Sequence, residues 1–190
     1  MLGSSHAYLM RCSDRLLYIV KFREMQRRPP AFAGEMLATM VAICVGLPFP
    51  APAPVEVSDF VSRSEARFMP CLHFGSIFME RCLDAFPASS FGRVRNRHVF
   101  AGVLAFDKWT ANTRRRQAVF VRGPDKSCEA EFIASGACFN CGAWNFAANP
   151  PDGAFLPYLS YLKIRGWEAF EPWLTRIETL PESLLFRLAA

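Results

Sequence analysis

Long apolar runs are missing from this sequence, and that absence excludes a membrane anchor. The one stretch that hints at a span, Met36 to Gly46, is apolar or small apart from Thr39. It falls well short of the roughly 20 residues that a bilayer-crossing helix needs. Pro48, Pro50, Pro52 and Pro54 follow at once and forbid its extension as a helix. Glu35 and a basic region from Arg23 to Arg28 precede it, whereas a secretory signal would sit nearer the N-terminus. The stretch is therefore expected to be a buried helix, with no membrane partner and a cytoplasmic location.

Other signatures are absent too. There is no internal repeat and no low-complexity tract. Seven cysteines, at 12, 44, 71, 82, 128, 138 and 141, are odd in number and scattered, which argues against a secreted disulfide framework and for reduced thiols. Cys138 and Cys141 form a single C-x-x-C, while a structural zinc needs four ligands. Cys71 and His73 are the candidates for a second pair, but nothing in the sequence places them nearby, so buried free thiols are the better reading. No RNP-like string accompanies Trp144, Phe146, Trp167 and Trp173, which are expected to pack rather than to stack on bases.

What is present is a globular composition, 52% hydrophobic and 21% charged with eighteen Phe, pointing to an aromatic core. The net charge of +5 mildly favours anionic partners. Tyr8–Arg11 and Leu16–Phe22 read as a hairpin around Ser13-Asp14. Ala31–Val45 reads as a helix stopped by Gly46 and Pro48. Residues 48–54 read as a stiff extended spacer, followed by a possible strand at Val55–Val57. Residues 58–92 carry no clear pattern. Arg93–Phe106 reads as a helix, and Gln117–Arg122 and Glu129–Ile133 as strands joined at Gly123-Pro124-Asp125. Ser135–Pro157 reads as a loop, and Glu168–Leu180 and Glu182–Leu188 as terminal helices.

One constellation carries chemistry. Ala105-Phe106-Asp107-Lys108-Trp109-Thr110-Ala111-Asn112 contains D-x-x-x-x-N at the end of a helical pattern. Such an aspartate can orient an attacking hydroxyl, and such an asparagine can ligate the magnesium on a triphosphate. Upstream lie a small-residue loop (Gly3, Ser4, Ser5), a strand lysine (Lys21) and a helix glutamate (Glu35), in the order a kinase uses to cover, hold and clamp phosphates. Plainer readings exist for each. Lys21 alone suits the surface of an edge strand, Asp107 and Asn112 suit a turn, and Glu35 suits a solvated helix start. The basic cluster Arg93, Arg95, Arg97, His98, Arg114, Arg115, Arg116 and Arg122 suits a solvated surface, with nucleic acid as the lesser reading.

At this point the sequence resembles a known family. "YIVKF", "GEMLATMVAICVGLPFPAPAPVEVS", "LHFGS", "LAFDKWTANTRRRQAVF", "CFNCGAWNF" and "RGWEAFEPWLTRIE" are similar to the HipA-like kinases, bacterial serine/threonine kinases related to a persistence toxin, and most of all to their small stand-alone branch. The resemblance covers about Gly3 to Glu178. It implies that Lys21 contacts ATP, Glu35 pairs with that lysine, Asp107 is the catalytic aspartate, Asn112 binds Mg²⁺, and Gly3, Ser4 and Ser5 belong to the phosphate-covering loop. It also implies an I-D-x-G string where this chain has Ile133-Ala134-Ser135-Gly136, so Ala134 stands in place of a metal-chelating aspartate. A strand ahead of the Gly3 loop and a continuation beyond Ala190 are implied as well, so both ends read as trimmed.

The expected fold is α+β, two-lobed and protein-kinase-like. The small lobe is expected over 1–57, a hinge and cleft lining over 58–92, and a larger, mainly helical lobe over 93–190. The expected function is that of an ATP- and Mg²⁺-using serine/threonine protein kinase or a degenerate copy of one, acting on an unassigned protein. A pseudokinase serving as a nucleotide- or protein-binding module is the alternative, and a basic nucleic-acid-binding protein the third reading.

Overall fold

A computed structural model describes residues 7–22, 30–64, 69–83, 88–140, 158–162 and 164–189. Two antiparallel sheets frame it, one of four strands and one of three. Strands β1 (Ala7–Arg11) and β2 (Leu17–Lys21) form the expected hairpin, with Ala7 opposite Lys21 and Arg11 opposite Leu17. Asp14 makes the turn. Its carboxylate accepts the Leu16 amide at 3.0 Å and the Tyr18 hydroxyl at 2.7 Å, the local bonding that gives aspartate its turn preference.

Helix α1 (Pro30–Cys44) follows, and Gly46 ends it with a φ of 84°, a left-handed conformation that glycine adopts without steric cost. Strand β3 (Pro52–Glu56) then starts earlier than expected. The prolines read as a spacer are partly strand, and they are tolerated because β3 is an edge strand, where missing N–H donors harm no neighbour. After a short helix α2 (Asp59–Ser64) comes β4 (Leu72–Ile77). This strand lies inside the segment read as a hinge, yet it is an interior strand: β2 flanks it on one side and β3 on the other. The sheet therefore draws in residues well past 57. Gly75 permits the close approach, since a Cβ there would stand 2.6 Å from Val55 Cγ2 and 3.2 Å from the Ala53 carbonyl.

The second sheet has the order β5 (Cys82–Leu83), β6 (Gln117–Arg122), β7 (Cys128–Ile133). Helix α3 (Val99–Trp109) precedes β6. It starts later than expected because residues 94–96 bond to β7 instead. The Arg95 amide donates to the Cys128 carbonyl at 2.9 Å. The Asn96 side chain pairs with the Ala130 backbone, donating at 2.9 Å and accepting at 2.8 Å. Helices α4 (Glu171–Glu178) and α5 (Glu182–Ala189) close the described chain.

The main core joins α1 (Ala38, Val41, Ala42), α3 (Phe100, Val103, Phe106), the second sheet (Phe120, Phe132) and Trp173 of α4. A smaller cluster, Tyr18, Val20 and Val55, lies within the first sheet. Helix α1 is thus anchored in the main core while its Glu35 reaches Lys21 at the end of β2. This placement decides the geometry of the site. No helix among the described residues is long and apolar enough to cross a membrane.

Candidate functional site

Lys21 ends β2, opposite Phe74 on β4. Its ammonium lies 5.5 Å from the centroid of the Phe74 ring and forms an ion pair with Glu35 Oε1 of α1. The two side chains are 23% and 11% exposed, so the pair is largely shielded but not sealed from solvent. Glu35 in turn abuts the loop after β7. A Cβ on Gly136 would sit 3.1 Å from Glu35 Oε2. The glutamate therefore lies between the strand lysine and the very segment where the second aspartate was expected.

Beyond that loop stands a buried cluster. Asp107 lies in the last turn of α3 and Asn112 just after it, 1% and 0% exposed. Asn112 Nδ2 donates to Asp107 Oδ1 at 2.9 Å, and Asn112 Oδ1 accepts the Arg114 amide at 3.1 Å. Arg116, 2% exposed, closes the cluster. Its Nε donates to Asp107 Oδ2 at 3.1 Å, and its Nη2 to Asp107 Oδ1 and, at 3.4 Å, to Cys138 Sγ. Its Nη1 reaches the Ile133 carbonyl at 3.0 Å, the Ala134 carbonyl at 3.3 Å and Ser135 Oγ at 3.4 Å. The guanidinium also lies 5.3 Å from the Phe49 ring centroid, a cation–π distance. A planar fork donating to both oxygens of one carboxylate is the strongest form of such a pair.

Burial pushes the Asp107 carboxyl above the usual carboxylate range, and the pull of Arg116 and Asn112 offsets this only in part. Burial also draws the Arg116 guanidinium down, but the Asp107 carboxylate outweighs it and the net direction is up. The Cys138 thiol is pushed up, chiefly by burial, which makes it an inert thiol rather than a nucleophile.

The donors present do not fit the expected magnesium. Both Asp107 oxygens receive protein N–H groups, and the Asn112 amide oxygen is turned to the backbone. Residue 134 offers only its carbonyl, already bonded to Arg116. Mg²⁺ requires oxygen ligands free to form a near-octahedral shell. Among the described residues, no three His, Cys, Asp or Glu side chains are grouped to hold a metal.

The structure thus links Lys21 to Glu35, Glu35 to Gly136, residue 134 to Arg116, and Arg116 to Asp107 and Asn112 in one line of contacts. Gly3, Ser4 and Ser5 lie outside the described residues, as do Trp144, Phe146 and Cys141. Arg116 is a correction to the basic cluster read from the sequence. It faces inward and is unavailable to nucleic acid, whereas Arg114, Arg115 and Arg122 are exposed. Its inward direction had a signal: Arg116, Ala118 and Phe120 alternate, and all three are buried, the period of one strand face. Arg93, Arg95, Arg97 and Lys126 line a separate open depression of about 510 Å³. There Arg95 pairs with Asp125 at 2.8 Å on a solvated surface.

Comparison with known proteins gives a concordant picture. A family model described as "HipA-like kinase" matches residues 1–122. No curated protein matches the chain. Among solved structures, the crystal structure of a Helicobacter pylori proinflammatory kinase, CtkA, superposes with a TM-score of 0.65 at 11% identity, covering 98% of this chain and 80% of that one. At such identity the likeness speaks for the fold, which is α+β and kinase-like.

Proposed function

Because this chain belongs to the HipA-like kinase family, we propose that it binds ATP in a kinase-type cleft and descends from a serine/threonine protein kinase whose phosphoryl transfer is now weak or lost. Proteins of this kind use ATP and a metal in general; the particulars that follow are our reading of this chain. The observation that carries it is the Lys21–Glu35 ion pair. A lysine held by a helix glutamate presents its ammonium to the α- and β-phosphates in a fixed place, which lowers the cost of ordering a long flexible side chain on binding.

In this reading Lys21 holds phosphate oxygens and Glu35 positions Lys21. Asp107 is the group that would orient a protein hydroxyl. Catalysis would require its carboxylate to be offered to that hydroxyl, and here it is bonded to Arg116 and Asn112. Ala134 removes a carboxylate where the resemblance implies one. Both features support binding without efficient transfer. Transfer from labelled ATP to protein tests the reading, with wild type, Asp107→Ala and Ala134→Asp assayed side by side. The expected result is trace transfer by wild type and a gain in Ala134→Asp. Brisk wild-type transfer abolished by Asp107→Ala would show a working kinase instead.

A further inference from the structure

We propose that the basic depression between the loop ahead of α3 and the β6–β7 turn is a docking site for a phosphorylated side chain of a protein partner. The proposal is separate from the ATP-binding reading above and stands without it.

The first observation is charge. Arg93, Arg95, Arg97 and Lys126 line the depression, and Asp125 is the one acid among its described lining residues. Among the described residues, Arg93, Arg97 and Lys126 take part in no ion pair. Arg95 is paired with Asp125, but the two side chains are 62% and 52% exposed, and an exposed pair of this kind is worth little and is readily exchanged. Unlike Arg116, these cations remain open to a ligand. A phosphorylated side chain brings about two negative charges and three acceptor oxygens, and the arginine fork bonds such oxygens in pairs.

The second observation is rigidity. Val94 forms a parallel bridge with Cys128 of β7, the Arg95 amide donates to the Cys128 carbonyl, and the Asn96 side chain clasps the Ala130 backbone. The loop that carries the three arginines is therefore fixed to the sheet. In the β6–β7 turn, the Gly123 amide donates to the Ser127 carbonyl at 2.8 Å and the Asp125 carboxylate accepts the Ser127 amide at 3.2 Å. With both backbones held in place, binding has only side chains to order, which lowers its entropic cost.

The third observation is shape and lining. The depression is compact, about 510 Å³, the scale of a site for one small group and its flanks. No aromatic side chain lines it among the described residues, so it offers nucleic-acid bases no platform for stacking. Asp125 would also oppose a continuous phosphate backbone with a like charge, whereas a single phosphate group needs only the arginines.

An array of peptides with one phosphorylated residue and randomised flanks, followed by anisotropy titration of the tightest binder, tests the proposal. Wild type should bind that peptide at least about tenfold more tightly than its unphosphorylated twin or inorganic phosphate. Arg93→Gln and Arg97→Gln should each lower the affinity by about three- to tenfold. Arg115→Gln removes an exposed charge outside the depression and should leave the affinity within about twofold. Amide shifts in the wild-type protein should centre on residues 92–97 and 125–127, which locates the peptide without any variant. The proposal is overturned by an array with no binder, by a twin or inorganic phosphate that binds as tightly, by an equal loss in Arg115→Gln, or by shifts centred elsewhere. A DNA duplex that outcompetes the phosphopeptide with steep salt dependence would overturn it too, and would assign the depression to nucleic acid.

Discussion

Arg116 grips both oxygens of Asp107 inside the protein, the two side chains being 0% and 2% exposed. A pair so buried returns little net stability when compared with apolar residues of the same shape, but breaking it by halves is expensive. Arg116→Gln should cost about 3–5 kcal/mol by leaving a buried carboxylate unpaired. Asp107→Asn added to it should recover much of that loss. Denaturant unfolding of the wild type, both single variants and the double variant closes the cycle. Additive losses would mean that the two side chains are not coupled.

Gly136 reads out the contact between the 134–136 loop and Glu35. A methyl group there would stand 3.1 Å from Glu35 Oε2, so the carboxylate must give by a few tenths of an ångström. Gly136→Ala is expected to weaken ATP binding by about three- to tenfold while changing stability little, because the displaced atom ends a flexible side chain. Isothermal titration and a thermal melt on the same sample separate the two effects. A large fall in Tm with unchanged affinity would place the role of Gly136 in the fold alone.

Glu131 supplies a pH test. It is half-buried on β7, and burial first and the Glu129 charge second push its carboxyl above the usual carboxylate range. A raised folded value favours the protonated form in the native state. That stabilisation is complete below the unfolded carboxylate range and is lost as pH rises through the folded value. Glu131→Gln keeps the neutral form at every pH. Its Tm should exceed that of wild type near pH 8 and coincide with it near about pH 3. Equal melting at both pH values would show that Glu131 is as well solvated as in the unfolded chain.

Much of this was legible in the sequence, and the rest was not for identifiable reasons. The β1–β2 hairpin, α1 and the β6–β7 hairpin could be read because turn chemistry and hydrophobic period agree there. Strand β4 escaped because His73, Phe74 and Gly75 are all buried. It shows no alternation, and its pairing comes from residues distant in the chain. The true start of α3 escaped because Asn96 spends its side chain on β7, a tertiary contact no local pattern records. At the site, Lys21 and Glu35 were named for their order and resemblance, and the structure brings them together. Arg116 was taken for one more surface cation. The run of Arg114, Arg115 and Arg116 hid it, since composition does not say which of three adjacent arginines faces inward; only the alternation with Ala118 and Phe120 does.

The central claim is that the Lys21–Glu35 pair is a phosphate-binding device, and equilibrium binding of ATP to wild type, Lys21→Ala and Glu35→Gln tests it most directly. The account expects saturable binding to wild type and a loss of about tenfold or more in each variant, with a thermal melt of each confirming that the variant is folded, since Lys21→Ala leaves the largely buried Glu35 carboxylate without its partner. Wild-type protein that binds no ATP, or Lys21→Ala that binds it as tightly as wild type, would contradict the claim.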